Sequence, residues 1–290
     1  MKYDRLPENY LNSIIGQALA EDRATEDITS QLLIPETISC GAVLLAKEAG
    51  VLAGVNVAKK VFESVDPSVA VEILLEDGQT IKPGNIIATI NGRARSILRA
   101  ERVALNFLQR LCGIATVTAK YVAEVKGLGT EILDTRKTTP GLRLLEKYAV
   151  AAGGGYNHRM TIADAVLIKD NHLAALEQNG LTLEQIVAQA KAKAPYGVTV
   201  EVEVTSVAQA LEALKARPHT IMLDNMATQE MADAVKAIAG RARTEASGGV
   251  NLQTVKQIAE TGVDCVSVGA LTHSVKSLDI SLDFNFNPAY

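Results

Sequence analysis

The stretch "VTVEVEVTSVAQALEALKARPHTIMLD", residues 198–224, decides the fold. Alternating apolar and polar residues over 198–204 predict a strand, and apolar residues at three- and four-residue spacing over 207–216 predict a helix. The apolar run 220–224 predicts a second strand. A strand, a helix and another strand joined by short turns form a unit of parallel strands with a crossover helix. The segment therefore predicts an α/β protein.

The same rhythm repeats through the second half of the chain. Strands are predicted at 131–134, 164–169, 198–204, 220–224, 244–247 and 264–268. Helical patterns follow at 183–194, 207–216, 228–240 and 252–262. Short units in series, joined by right-handed crossovers, predict a parallel α/β barrel, complete or incomplete. A doubly wound parallel sheet is the alternative.

The first part of the chain has a different pattern. A helix is predicted at 10–22, strand-like runs at 40–54 and 69–94, and one or two long amphipathic helices at 97–125. We predict an N-terminal α+β sandwich domain over residues 1–112, with the C-terminal tail 275–290 as a candidate addition to it. The α/β barrel, residues 113–274, is predicted to carry the active site.

Composition narrows the class of protein and its partners. The 290 residues are 48% hydrophobic and only 4% aromatic, which suits helices covering a parallel sheet. The net charge of −4 gives no overall attraction to nucleic acid or anionic lipid. Three distant cysteines without metal-ligand spacing indicate reduced thiols and a cytoplasmic location. No export signal or membrane span is predicted, because apolar runs are short or broken by charges.

Polar residues end the predicted strands, at the edge where α/β proteins carry their sites. They are Asp134 with Arg136 and Lys137, Lys169 with Asp170, Glu203, Asp224 with Asn225, Ser247 with Gly248 and Gly249, and Gly269 with Ala270. The nearby His158 and Arg159 would add cations to the same mouth. Two cations about 4 Å apart repel by about 4 kcal/mol at an effective dielectric constant of about 20. Such a cluster of cations predicts an anionic ligand. The alternative is that each cation is solvated separately and pairs with an acidic residue.

Two glutamates share one face of the strand 198–204, opposite its valines. In a parallel barrel that face points inward, where an ionised carboxylate needs a cation or a metal. Glu203, nearer the carboxyl end, is the functional candidate. Glu201 lies deeper and is predicted to pair with an internal base or hydroxyl. The alternative is a surface strand with both glutamates in solvent.

Asp224 and the last two glycine turns complete the candidate site. Asp224 with Glu203 could bind ribose hydroxyls or Mg²⁺ through oxygen, although a strand-ending Asp can also be a helix N-cap. The turns 247–249 and 269–270 precede helical patterns and predict phosphate bound by main-chain N–H groups. The glycine run 153–155 lacks the spacing of a dinucleotide fingerprint.

Three further features are predicted to be structural. His172 is favoured as a helix-capping residue over an acid–base group, and Thr138 or Thr139 is predicted to cap the helix that follows. The segment 77–84 is predicted to be a structural hairpin and not a lipoyl-type carrier turn.

Taken together, the motifs closely resemble those of the quinolinate phosphoribosyltransferases, also called nicotinate-nucleotide pyrophosphorylases. They are "ERVALNFLQRLCGIAT", "LDTRKTTPGLR", "GGGYNHR", "DAVLIKDNH", "VEVEV", "MLDN", "ASGGV" and "SVGALT". The resemblance covers nearly the whole chain. In "EDRATEDITS", Glu26 stands where the family usually has Gly.

The resemblance implies transfer of the phosphoribosyl group of phosphoribosyl pyrophosphate to quinolinate with decarboxylation. The products would be nicotinate mononucleotide, pyrophosphate and CO2, on the de novo route to NAD. It implies Mg²⁺ with the sugar donor, no organic cofactor, and a homodimer at least. Arg102 is then expected to enter the site of the neighbouring subunit.

The resemblance also implies a role for each matching residue. Quinolinate carboxylates would be held by Arg136, His158, Arg159 and Lys169; Lys137 would also reach pyrophosphate; Glu203 and Asp224 would bind ribose hydroxyls or Mg²⁺; and Ser247, Gly248, Gly249, Gly269 and Ala270 would cradle the 5′-phosphate. Lys137, Lys169, Glu203 and Asp224 are the implied catalytic groups.

Three other functions remain open at this point. One is a Schiff-base lyase or aldolase with Lys169 as nucleophile, which leaves the arginines unexplained. Another is a transferase for a different base or sugar phosphate, including the relatives associated with molybdenum transport. The third is a sensor that binds a pyridine or a phosphate without turnover.

Overall fold

The computed structural model describes residues 5–178 and 180–285. By internal contacts these divide into two compact units. The barrel unit holds residues 120–138 and 155–273, and the sandwich unit holds residues 5–119, 139–154 and 274–285 of the described chain. The predicted boundary at residue 112 stays a prediction, whereas the contacts divide the chain at residue 119 and group 139–154 with the sandwich unit.

The first 124 residues form four helices and five strands within the described ranges. In chain order these are α1 (Glu8–Glu21), α2 (Ile28–Leu33), β1 (Ser39–Ala46), β2 (Gly50–Val51), α3 (Val55–Val65), β3 (Ala70–Ile73), β4 (Thr80–Ile81), β5 (Ile86–Arg93) and α4 (Ala94–Glu124). A short 3-10 turn, Ala24–Glu26, separates α1 from α2. The long amphipathic pattern is thus one helix of 31 residues.

The rest of the described chain alternates strands and helices. In order these are β6 (Glu131–Leu133), α5 (Arg143–Ala152), β7 (Val166–Ile168), α6 (Asp170–Glu177), α7 (Leu183–Lys193), β8 (Val200–Val204), α8 (Val207–Lys215), β9 (Thr220–Asp224), α9 (Thr228–Ile238), β10 (Arg243–Ser247), α10 (Val255–Glu260), β11 (Cys265–Ser267), α11 (Ala270–His273) and β12 (Ile280–Asn285). Each strand predicted from periodicity in this half is confirmed, with ends that shift by up to two residues.

The sandwich unit contains an antiparallel sheet in the order β12-β1-β5-β3. The final strand pairs with β1 from Gly41 opposite Asn285 to Ala46 opposite Ile280. Helix α3 was not predicted, although its buried residues Val55, Ala58 and Val61 lie at helical spacing. Its N-terminus is held from a distance, because the Asp77 carboxylate accepts the main-chain N–H groups of Gly54 at 2.8 Å and Val55 at 3.0 Å. The predicted hairpin at 77–84 contributes β4, which pairs with β2.

The barrel unit has six parallel strands in the order β6-β11-β10-β9-β8-β7. From β7 to β11 each strand lies beside the next one in the chain, so the winding never reverses as it does in a doubly wound sheet. β6 pairs with β11, and no ladder joins β6 to β7 among the described residues. The fold is therefore the incomplete form of the predicted barrel.

The outward valines of β8 form part of the barrel core, since Val200, Val202 and Val204 are at most 1% exposed. This confirms the predicted alternation and leaves Glu201 and Glu203 on the inner face. Across the described ranges, no helix is both long enough and apolar enough to span a membrane.

Candidate active site

A cavity of about 290 Å³ lies at the carboxyl ends of the barrel strands. Its lining comprises Thr135, Arg136, Lys137, His158, Arg159, Leu167, Lys169, Met222, Glu245, Ser247 and Ser267. The structure thus brings together all the cations predicted from the strand ends. Arg102 is not part of this lining and is exposed on α4.

The end of β6 holds the loop that carries His158 and Arg159. Asp134 is fully buried, and its carboxylate accepts the side-chain amide of Asn157 at 2.6 Å and the main-chain N–H of His158 at 2.9 Å. The N–H of Asp134 in turn donates to the carbonyl of Tyr156 at 3.1 Å. A buried carboxylate without these donors would be costly, so the strand end and the loop fix each other.

Arg136 and Arg159 provide spare hydrogen-bond donors for an anion. The Nε atoms of both guanidinium groups are buried and have no hydrogen-bond partner in the described part of the chain. Burial, and then the nearby Arg136, lower the pKa of Arg159. Arg159 Nη1 already donates to the carbonyl of Ala165 at 2.8 Å, which fixes the plane of the group. Neighbouring guanidinium groups with unused donors form a site for a carboxylate or phosphate.

The predicted carboxylates lie on neighbouring strands. Glu203 Oε2 is 3.0 Å from Lys169 Nζ, and the Glu203 side chain is 11% exposed. The register pairs Glu203 with Met222, so Asp224, two residues further along β9, points to the same face. Asp224 accepts the side-chain amide of Asn225 at 2.6 Å. It is not an N-cap, because α9 begins at Thr228 with Ala227 in the capping position.

Two buried glutamates lie beneath the cations. His158 Nε2 is 3.3 Å from Glu201 Oε2 and 3.5 Å from Glu245 Oε1, and the exposed fractions of the two glutamates are 7% and 2%. The predicted pairing of Glu201 with an internal base is confirmed. Glu245 was missed, although its position two residues before Ser247 places both on the inner face of β10.

The cluster binds protons more tightly than its groups do in water. Burial lowers the pKa of His158, but the hydrogen bonds and charges of Glu201 and Glu245 outweigh burial, so the net effect is a raised pKa. Burial, and then the Glu245 carboxylate, raise the pKa of Glu201. The main-chain N–H of Arg159 donates to His158 Nδ1 at 2.9 Å, so the imidazole carries its own proton on Nε2. The three groups therefore titrate together, and the extra proton that the cluster holds lies on a carboxyl group of the glutamates and not on Nδ1 of the ring.

The structure requires glycine at the first of the predicted phosphate turns and leaves little room for a side chain at the second. Gly248 has a φ of 95°, and an added Cβ would collide with the side chain of Asn225. At Gly269 an added Cβ would lie 3.0 Å from His273 Nε2 and 3.3 Å from the Lys137 side chain. Both turns thus bring main chain close to neighbouring residues, as a ligand cradle also requires. Binding of phosphate there stays a prediction.

Two capping predictions have opposite outcomes. The structural role of His172 is confirmed, because its Nδ1 accepts the N–H of Lys169 at 2.9 Å at the start of α6. The prediction that Thr138 or Thr139 caps the next helix is wrong, since α5 begins at Arg143 after Leu142. Thr139 Oγ1 instead donates to the buried Glu146 at 2.8 Å. That carboxylate also accepts Arg110 at 2.7 Å, so Thr139 is held in the turn three residues before the cap position of the helix.

The fold and the site define an α/β-barrel protein with a cavity lined by cations at the carboxyl ends of its strands. The model of the quinolinate phosphoribosyl transferase N-terminal domain matches residues 27–112, and that of the C-terminal domain matches residues 114–283. The chain belongs to the quinolinate phosphoribosyltransferase family.

Individual relatives are similar over nearly the whole chain. A probable nicotinate-nucleotide pyrophosphorylase [carboxylating] of Bacillus subtilis is 43% identical, covering 94% of this chain and 93% of the relative. A chloroplastic nicotinate-nucleotide pyrophosphorylase of Arabidopsis thaliana is 44% identical over 95% and 83% of the two chains. The crystal structure of NadC from Streptococcus pyogenes has 44% identity, covers 97% of this chain and 99% of that one, and has a TM-score of 0.91.

Proposed function

We propose that the protein transfers the phosphoribosyl group of phosphoribosyl pyrophosphate to quinolinate and removes one carboxylate, which gives nicotinate mononucleotide, pyrophosphate and CO2. It is then a decarboxylating phosphoribosyltransferase of de novo NAD biosynthesis. Family membership supports the reaction. We assign the reaction to this cavity because the Nε donors of Arg136 and Arg159 are unpartnered there among the described residues, beside Lys137 and Lys169. The cytoplasmic location stays a prediction.

In this proposal Arg136, Arg159 and Lys169 hold the quinolinate carboxylates. Guanidinium groups can each make two parallel hydrogen bonds to a carboxylate, and the Lys169 ammonium group adds a point charge. His158 stays a predicted contact, although both of its ring nitrogens already have protein partners. Lys137, an exposed cation of the lining, is assigned to pyrophosphate.

Glu203 and Asp224 are assigned to the sugar. As pyrophosphate leaves, the anomeric carbon gains positive charge, which carboxylates fixed at neighbouring strand ends stabilise. Their oxygens also suit Mg²⁺, an ion that is commonly held by one or two carboxylates and keeps several waters. Mg²⁺, when bound with the sugar donor, would neutralise charge on the pyrophosphate. The ring nitrogen forms the new bond, and the cationic ring then accepts the electron pair left by CO2.

The 5′-phosphate is assigned to the glycine turns. Ser247, Gly248 and Gly249 follow β10, and Gly269 and Ala270 follow β11. These are the last two strands of the barrel, the place where such folds often bind phosphate.

The first prediction concerns CO2 release. Quinolinate labelled on its 2-carboxylate is expected to release labelled CO2 only when phosphoribosyl pyrophosphate and Mg²⁺ are present, because the ring becomes an electron sink only after ribosylation. Scintillation counting of trapped CO2, with pyrophosphate measured in parallel, is the assay. Binding of both substrates to folded protein without CO2 release would contradict the proposal and favour a sensor. Borohydride trapping of a carbonyl compound on Lys169 would favour the Schiff-base enzyme.

A second prediction concerns the subunit that supplies Arg102. We propose a homodimer in which Arg102 of one subunit completes the site of the other. Arg102→Ala and Glu203→Gln variants are each expected to be nearly inactive. Coexpressed in equal amounts, they should recover about a quarter of wild-type activity, because half the dimers are mixed and each mixed dimer has one intact site.

The mixed dimer is identified by different affinity tags on the two variants. Purification through both tags should give protein with about half the wild-type activity per dimer. Mixed dimers that stay inactive would show that Arg102 acts within its own subunit. Normal activity of the Arg102→Ala variant alone would remove it from the site altogether.

A further inference from the structure

The loop that carries Arg159 is held by buried carboxylates from three strands of the barrel. Asp134, after β6, accepts the main-chain N–H of His158. Glu201 on β8 and Glu245 on β10 contact Nε2 of the His158 ring. One nitrogen of His158 and one carboxylate oxygen of each glutamate lie within 4.8 Å of one another. His158 is therefore fixed both at its main chain and at its ring.

The hydrogen bond at Nδ1 decides what this cluster can do. Because Nδ1 accepts the N–H of Arg159 at 2.9 Å, Nε2 must carry a hydrogen atom. That hydrogen lies between the two carboxylates, so Nε2 has no lone pair to offer a metal ion. The cluster is thus a holder for the imidazole, with Glu201 Oε2 at 3.3 Å and Glu245 Oε1 at 3.5 Å from Nε2, and not a metal site.

The holder formed by Glu201 and Glu245 acts through the His158 ring on the next residue, Arg159. Nδ1 fixes the main-chain N–H of Arg159, and the Arg159 guanidinium is fixed at its far end by the carbonyl of Ala165. Between these points lies Nε, which is buried and unpartnered in the described chain. Hydrogen bonds that orient a binding group from behind commonly change its affinity by about 10- to 100-fold when removed.

We propose that Glu245 is a positioning residue for the quinolinate site: with Glu201 it orients the His158 ring, which anchors Arg159 and aims its free Nε at the substrate carboxylate. Glu245 lines the cavity, and in this proposal it acts through the His158 ring and not on a reacting atom. The inference rests on the proposed function, because the measured effect is on quinolinate.

The test compares two substitutions of similar shape. Glu245→Met fills the same volume without an acceptor for Nε2–H, and it should raise the KM for quinolinate about tenfold. The KM for phosphoribosyl pyrophosphate and kcat should stay within about threefold, because the holder supports only the carboxylate site. Glu245→Gln keeps an oxygen acceptor and should restore the KM to within about threefold of wild type. An unchanged KM in Glu245→Met, or equal rises for both substrates, would overturn the proposal.

A control and a second measurement keep the test independent of folding. Glu131→Gln changes a glutamate at the amino end of β6, where it contacts Arg243, and should leave every constant unchanged. In the wild-type protein, nitrogen NMR of His158, assigned with His158→Gln, should show Nδ1 unprotonated and Nε2 protonated. A hydrogen on Nδ1 would overturn the anchor. This NMR result does not depend on the reaction, so a failure of the proposed function remains distinguishable.

Discussion

Arg136→Ala is expected to raise the KM for quinolinate at least about a hundredfold, which corresponds to about 3 kcal/mol of lost binding. Arg136 lines the cavity, and its buried Nε has no hydrogen-bond partner within the described residues. Truncation therefore removes donors for the substrate without breaking a side-chain contact seen in the fold. Steady-state kinetics with each substrate varied in turn, and calorimetric titration of quinolinate, would measure the effect.

Two further variants identify the cause of that loss. Arg136→Lys keeps the charge but not the planar fork of donors, and should recover only part of the affinity. Arg241→Ala removes an exposed arginine just after α9, which donates hydrogen bonds to the carbonyls of Ala237 and Ile238 at the end of that helix. This variant should leave the KM for quinolinate unchanged. Unchanged kinetics in Arg136→Ala, with the thermal unfolding temperature preserved, would remove this residue from the carboxylate site.

Glu203→Gln is expected to lower kcat by about 100- to 1,000-fold, because a neutral amide cannot stabilise the positive charge that develops on the sugar. The side chain is nearly isosteric, so the cavity keeps its shape. The KM for quinolinate should change by less than about threefold, although Lys169 loses its ion pair at 3.0 Å. Rapid-quench measurement of pyrophosphate release in a single turnover would isolate the step.

The matched control is Glu184→Gln, which alters an exposed helical glutamate 3.7 Å from Lys215. It should have wild-type kinetics. If Glu203→Gln instead raised only the KM for phosphoribosyl pyrophosphate and left kcat unchanged, the carboxylate would bind the donor equally in ground and transition states. The assignment of Glu203 to the developing charge would then be wrong.

The barrel was predictable because its signal is local. Its strands are short runs that are apolar or alternate between apolar and polar residues, and the helices predicted after them have apolar residues at three- and four-residue spacing, so both patterns are visible within about ten residues. The sandwich unit was less predictable. Helix α3 takes its cap from Asp77, and the sheet is completed by β12, which pairs with β1 although more than 230 residues separate Ala46 from Ile280.

The residues of the candidate site also divide into those with a local signal in the sequence and those without one. Arg136, Lys137, Lys169 and Glu203 were found because each ends a strand, and parallel strands bring their carboxyl ends to one edge. Glu245 was not found, since a glutamate inside "TEAS" resembles any polar residue of a half-buried strand. Thr139 was misassigned because its partner, Glu146, lies on the helix that the threonine was expected to cap.

The sequence by itself determined the series of strand–helix units with parallel strands, the alternation of valine and glutamate along β8 and the cationic strand ends, because periodicity and strand termination are properties of adjacent residues. Only the tertiary structure decided that these units form a barrel and not a doubly wound sheet, and that the glutamate face of β8 points inward. The tertiary structure alone decided that β6 and β7 form the open edge, that Glu201 and Glu245 meet at His158, and that both ring nitrogens of His158 are engaged. Those contacts join segments far apart in the chain. They depend on strand order and register, for which no local pattern exists.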